Sequence, residues 1–280
     1  MADQIHDKSE VNATRMAFIA EIIQRELEAA AKVRPLITDV SEFAVKGRKS
    51  ISFPKLGSFS VQKISEGQKA DAQALTASVD TLDLDQHASV QWILKNQATI
   101  QSTLQWEAAS IQRAGSAHGR EFDKDILEAL VSGAAAANNV TYNSSTYEDN
   151  ILEAAQKLDE ANAPEEGRFM LIRPAQKKVA LGIANFVQAD RYGDRTPLLT
   201  GELGQAYGFR FVVSNISTTS FVDGVSLALH REACAYGFQL GENLESQQAI
   251  EYGTGSKRYA LDSLYGYKVL QSGNLISKIA

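Results

Sequence analysis

The apolar positions of this chain change period several times along its length, and each change marks a different element. From Glu10 to Lys32, the residues Met16, Ile19, Ala20, Ile23 and Leu27 recur at helical spacing, with Arg15, Glu21, Arg25 and Glu28 between them. That spacing predicts an amphipathic helix ended by Pro35. A basic link follows, Lys46-Gly47-Arg48-Lys49, and then a period of two takes over. Ile51 and Phe53 alternate with serines, Phe59 and Val61 alternate with Ser58, Ser60 and Gln62, and the polar run from Ser65 to Lys69 reads as a loop tip. On the return, Leu75, Ala77 and Val79 share one face while Leu82 and Leu84 take the opposite phase, which predicts a bulge or twist near Asp80. Val90, Trp92 and Leu94 alternate again. The stretch reads as one long two-stranded ribbon with a polar tip. It carries few large apolar residues for its length, and an isolated hairpin is marginal in water. Something beyond the ribbon must stabilise it, and lying across a neighbouring subunit is one solution.

From Asn96 to Leu130 the period is helical again, with Ile100, Leu104, Ala108 and Ile111 in one stripe. Gly115 and Gly119 are expected to interrupt or end that helix, and Phe122, Ile126, Ala129 and Leu130 form a second stretch. The small, polar segment from Gly133 to Thr146 reads as a loop. Beyond it, Thr146 is placed to cap a helix bearing Tyr147, Ile151, Leu152, Ala155 and Leu158, which Asn162-Ala163-Pro164 breaks. Arg168 to Ile172 reads as a buried strand, and a short helix after Pro174 carries Val179 and Leu181. Phe209, Phe211 and Val213 predict a strand, Leu227 and Leu229 another, and the alternation of Tyr259, Leu261, Ser263, Tyr265 and Tyr267 a third.

Composition narrows the classes. Of 280 residues, 44% are hydrophobic and 22% charged, so a packed core is expected and global disorder is not. A net charge of −6 argues against a chain that wraps nucleic acid as a polycation. The single cysteine, Cys234, excludes an intramolecular disulfide and any multi-cysteine zinc site, and its setting between alanines reads as packing. The first residues show no basic segment followed by an apolar run, and no stretch of about 18 apolar residues exists, so neither a secretory signal nor a membrane span is expected.

Chemistry is mostly absent. His6, His87, His118 and His230 sit in no metal-ligand spacing. Glu121, Asp123 and Asp125 cannot all converge on a helix and read as a solvated helix start. Gly253-Thr254-Gly255-Ser256-Lys257 lacks the first glycine and the hydroxyl residue of a phosphate loop, and the glycines at 201, 204 and 208 precede a strand instead of following one. Turn glycines are the better reading of both. Trp92 and Trp106 read as core anchors, and the basic link from Lys46 to Lys49 as a solvated hinge. No catalytic, cofactor-binding or metal-binding residue is assigned.

The order of parts is the informative feature: an N-terminal arm, a long ribbon, a long helix, a compact α/β region and returning strands. Local wording agrees, in Ser50-Ile51-Ser52-Phe53-Pro54, in Ala74-Leu75-Thr76, in Phe122 to Leu130, and in Ile151 to Asp159 followed by Asn162-Ala163-Pro164, Gly167-Arg168-Phe169 and Ile172-Arg173-Pro174. Gly208-Phe209-Arg210-Phe211-Val212-Val213-Ser214 adds a glycine-aromatic strand. In this order the chain resembles the major capsid proteins of tailed bacteriophages with the Hong Kong 97-like fold. The resemblance implies an α+β fold with an N-arm (1–45), an extended β-ribbon or E-loop (46–94), a P-domain with a long spine helix (95–142), a compact A-domain (143–236) and P-domain return strands (237–280). It implies self-assembly into pentamers and hexamers that close an icosahedral shell around double-stranded DNA, bound without sequence specificity. The virion would be the final location and the host cytoplasm the place of assembly, with separate scaffolding and portal proteins as partners and no membrane. Lys55, Phe59, Lys63, Glu66 and Lys69 on the ribbon are the expected inter-subunit contacts. No enzyme activity and no cofactor are expected. An encapsulin-type compartment shares the fold and stays open as an alternative. An enzyme with acids around Asp190, Asp194 and Glu202, and a tail or adhesion protein, are less well supported.

Overall fold

Each element forms where the sequence offers one face to bury, and the faces meet in two places. The computed structural model describes residues 32–57, 59–67, 69, 71–96, 106–183 and 204–280, the side chains of Trp106 and Ser272 apart. The helix expected from Glu10 lies outside them except for Lys32, as do Ile100, Leu104, His6, Asp190, Asp194, Gly201 and Glu202. In chain order the strands are β1 (Thr38–Asp39), β2 (Ser50–Leu56), β3 (Ala77–Asp83), β4 (Gln86–Leu94), β5 (Arg168–Ile172), β6 (Gln205–Ala206), β7 (Phe209–Val213), β8 (Ser226–His230), β9 (Cys234–Gln248), β10 (Lys257–Val269) and β11 (Ile276–Ile279). The α-helices are α1 (Trp106–Gly133), α2 (Tyr147–Glu160) and α3 (Pro174–Leu181).

Three sheets result. One has the order β1-β9-β10-β4, one the order β11-β8-β5-β7-β6, and β2 pairs only with β3. The five-stranded sheet is the compact α/β region. Arg168–Ile172 and Ser226–His230 are buried almost throughout, which explains why they read as continuous apolar runs. Helix α2 packs on β11 through Tyr147, Asn150, Ile151, Ala154 and Leu158, a stripe at helical spacing. Its expected cap does not form. Thr146 makes no side-chain bond to the helix, and Asn143 instead accepts the Ser145 N–H at the start of the preceding 3₁₀ turn. The Gly204 and Gly208 positions are turn residues, with Tyr207 and Gly208 both at positive φ between β6 and β7. Gly253 and Gly255 likewise turn the chain between β9 and β10.

Helix α1 differs from expectation. It runs unbroken for 28 residues past Gly115 and Gly119. Phe122, Ile126, Leu127, Leu130 and Val131 bury one face of it, and that packing outweighs the weak helix propensity of two glycines. Asp123, expected on a solvated helix start, is fully buried mid-helix and accepts backbone N–H groups from Lys32, Val33 and Arg34. The alternation of Val90, Trp92 and Leu94 does form a strand, but β4 pairs with β10, not with the ribbon. Trp92 stacks on Tyr259 at 5.4 Å and donates its indole N–H to Ser110 at 3.1 Å. The largest omission from the sequence reading is β9, a 15-residue strand that forms a hairpin with β10.

The ribbon stands on a seat of glycines. Gly237 and Gly266 face each other across β9 and β10. A Cβ on Gly266 would lie 2.0 Å from the Asp83 carbonyl oxygen, and one on Gly237 would lie 3.4 Å from Ile51 Cδ1. Over this bare patch, Ile51, Leu82 and Leu84 pack with Val40, Ala44 and Ala235 in a small core of their own. The β2–β3 register is continuous from Ser50↔Asp83 to Leu56↔Ala77, so the bulge expected near Asp80 is absent. The change of phase has another cause. Leu82 and Leu84 point into the seat, whereas Ala77 and Val79 lie on the opposite, solvent face.

Two alanine substitutions separate these environments. Gly266→Ala drives a methyl group into backbone and is expected to cost at least about 2 kcal/mol. Gly115→Ala meets nothing within 4 Å and is expected to stabilise α1 by about 0.5–1 kcal/mol. Thermal or urea unfolding of the two variants checks both signs.

Candidate inter-subunit surface

Beyond its seat the ribbon loses contact with the rest of the described residues. Ile51 is 8% exposed and Leu82 is fully buried, but Leu56 is 65% exposed and its outer-face neighbour Val79 57%. The last ladder bond runs from the Gly57 N–H to the Thr76 carbonyl at 2.8 Å. Past that rung the expected strand through Phe59 and Val61 does not form, and side-chain amides bridge the two arms instead. Gln73 accepts the Ser60 N–H at 2.9 Å and donates to the Ser60 carbonyl at 2.5 Å, and Gln62 accepts the Asp71 N–H at 2.9 Å. A glutamine reaches further than a backbone carbonyl, so the arms stay joined where they are too far apart for a ladder. The tip turns at Glu66 and Gly67, where φ is +87°.

The apolar residues of this outer part are unburied. Phe59, Val61, Ile64 and Leu75 are all more than half exposed, Val61 at 93%. Lys55, Lys63, Glu66 and Lys69 lie on the same projection and are exposed as well. The five residues singled out in the sequence therefore share one hairpin. Sequence reasoning chose mainly its charges, and the unburied apolar set was missed. Its signal was present as the alternating positions 59, 61 and 75, but periodicity alone does not say that a face lacks a cover.

Two further features frame the surface. The Lys46–Lys49 link is a positioned turn at the foot of the ribbon, where Gln239 donates its side-chain amide to the Val45 and Arg48 carbonyls at 3.1 and 2.7 Å. The outer end of the β9–β10 hairpin makes a second projection, with Ile250 74% exposed and Tyr252 46%. Its strand residues from Gly241 to Gln248 are exposed throughout.

Polar side chains of the described residues make defined contacts within the fold. Among them no group of three or more His, Cys, Asp or Glu side chains can hold a metal ion. His118 shares a 2.9 Å bond with the Ser263 hydroxyl, and His230 one of 2.9 Å with the Glu166 carbonyl. Burial pushes the Asp125 carboxyl up, and the acids Glu121 and Glu128 add to the rise, while a 2.6 Å bond from the Tyr265 hydroxyl opposes it. Cys234 is fully buried, and burial pushes its thiol up to about 12, so it is not a nucleophile at neutral pH.

Solved structures share this arrangement. One from Mycobacterium phage Che8 matches with a TM-score of 0.76 at 22% identity, over 91% of this chain and 93% of that one. The capsid of cyanophage P-SCSP1u matches with a TM-score of 0.74 at 16% identity, over 90% and 88% of the two chains. The mature capsid of bacteriophage PhiM1 gives 0.73 at 12% identity, over 91% and 88%. At such identities the likeness speaks to the fold, which is α+β and Hong Kong 97-like. No curated protein matches the sequence. The profile of the family described as phage capsid protein matches residues 97–270, which span α1, all of the five-stranded sheet except β11, and the β9–β10 hairpin. That is well over half of the sequence, and the chain belongs to the phage capsid protein family.

Proposed function

We propose that this chain is the major shell subunit of a tailed phage, assembling through pentamers and hexamers into a closed icosahedral capsid around double-stranded DNA. One observation carries the reading. The ribbon holds Leu56, Phe59, Val61, Ile64, Leu75 and Val79 in solvent, on a projection that the described residues of its own chain do not cover. Such a set is costly to expose on a lone subunit and is covered if each ribbon lies across a neighbour. Lys55, Phe59, Lys63, Glu66 and Lys69 then contact the adjacent subunit, the apolar residue supplying burial and the charges fixing register. Each contact can be weak, because a closed shell repeats it many times.

The parts follow the same reading. Residues 1–45 act as the N-arm, 46–94 as the E-loop with Gln86–Leu94 returning into the body sheet, 95–142 as the spine region, 143–236 as the A-domain and 237–280 as the return strands. The role is structural, not enzymatic. A net charge of −6 suits a shell whose lining must let DNA slide during filling. Scaffolding and portal proteins are separate partners, assembly takes place in the host cytoplasm, and the product is the virion. Among the described residues no helix is long and apolar enough to cross a membrane.

Negative-stain electron microscopy with light scattering of the purified protein tests this, alone and mixed with a candidate scaffolding protein. Closed shells, or rings of five and six, are expected. A protein that stays monomeric in both samples contradicts the reading. The double variant Phe59→Glu, Val61→Asp touches no core residue, so its unfolding should shift by less than about 0.5 kcal/mol. Under conditions that give wild-type shells, the same variant should give none.

A further inference from the structure

Three consecutive backbone N–H groups end on one buried carboxylate. Asp123 sits in the middle of α1 and is fully buried. Its Oδ2 accepts from Lys32 at 2.6 Å and Val33 at 2.9 Å, and its Oδ1 accepts from Arg34 at 3.3 Å. Pro35, next in line, has no N–H, and the Leu36 N–H closes the turn on the Val33 carbonyl at 2.9 Å. Every donor at the start of the Arg34–Leu36 turn is thereby accounted for, although no side chain within the turn caps it.

The two side chains flanking this clamp reach opposite ways. Lys32 donates its ammonium to the Val213 carbonyl at 2.9 Å, at the end of β7 in the five-stranded sheet. Arg34 lays its guanidinium 4.7 Å from the ring centroid of Phe238 on β9, with Tyr236 and Phe122 at 5.9 and 6.0 Å, and pairs with Glu242 at 3.7 Å. Three residues of chain therefore touch the long helix, the compact sheet and the long hairpin at once.

We infer that Asp123 is the positioning residue that fixes the path of the chain at residues 32–34, and that it locks this point to the seam between the two large sheets. The inference rests on the shell-subunit reading, in which the arm must leave every subunit along a defined path. A carboxylate suits the task, since it accepts from three donors and presents none of its own, as an amide would. It is a poor choice for stability alone. A buried charge is expensive to desolvate, and an apolar side chain would fill the same space more cheaply. Fixing one geometry against alternatives is the better-attested use of such a group.

Trypsin cleavage of the Lys32–Val33 bond in the unassembled, full-length protein tests this, because that bond is sealed only while the clamp holds. Asp123→Ala is expected to raise the cleavage rate about tenfold or more, and Asp123→Asn by less, since the open population follows the strength of the local lock. Leu127→Ala serves as the control for a merely structural role, as it hollows the same helix but removes none of the clamp's hydrogen bonds. Compared at equal distance below each midpoint, its rate should stay within about twofold of wild type. Equal rates for Asp123→Ala and Leu127→Ala at matched stability would overturn the inference, as would a wild type cut as fast as Asp123→Ala. The readout does not depend on shell formation, so a wild type that never assembles would sink the shell reading and leave this result standing. Where wild-type shells do form, Asp123→Ala should yield folded subunits that fail to close them, and normal closure would remove the assembly role.

Discussion

A two-stranded ribbon has two faces, and the described residues of this chain cover only the foot of one. That constraint organises much of the rest. Ile51, Leu82 and Leu84 sink into a small core above Gly237 and Gly266, and a Cβ on Gly266 would collide with the Asp83 backbone beneath them. Outward from Leu56 the ladder stops, glutamine side chains hold the arms together, and every large apolar residue faces solvent. Among the described residues of one subunit, nothing buries the outer half. The shell supplies that burial, on the reading proposed above, and the subunit is then an incomplete fold that assembly completes.

The β9–β10 hairpin is what the other parts lean on. It pairs with β1 on one side and β4 on the other, carries the glycine seat, and presents Tyr236, Phe238 and Tyr265 to Phe122 of the long helix. The helix in turn receives the chain at Asp123 and the hairpin again through Tyr265 on Asp125 and Tyr259 on Glu107. Segments 90 to 152 residues apart in sequence are joined by single polar groups at these points. A shell subunit must transmit load between its projections without yielding, and a polar bond made in one geometry alone resists sliding in a way that apolar packing does not.

Much of this was legible because most elements bury one face. Helix α2, strands β5, β7 and β8, and the alternation of Tyr259, Leu261, Ser263 and Tyr265 in β10 all announce themselves through their buried stripes or runs. Strand β9 did not, because its outer half is exposed on both faces and carries no alternation. The glycines of α1 misled, since propensity is weaker than the packing of Phe122, Ile126 and Leu130. Asp123 misled for a deeper reason. A carboxylate whose partners lie about ninety residues away has the same local sequence as one in water. The partner of β4 was hidden likewise, as alternation predicts a strand and says nothing of its neighbour. On the surface, the ribbon as a whole was readable from its order in the chain, whereas the role of its apolar residues required seeing that no described residue covers them.

Hydrogen–deuterium exchange of residues 57–76, measured in free subunits and in assembled shells, addresses the central claim most directly. The ribbon amides beyond Gly57 should exchange fast in the free subunit, where no ladder protects them, and become strongly protected in the shell. Fast exchange in both states would contradict the claim, because the outer ribbon would then gain no cover from its neighbours.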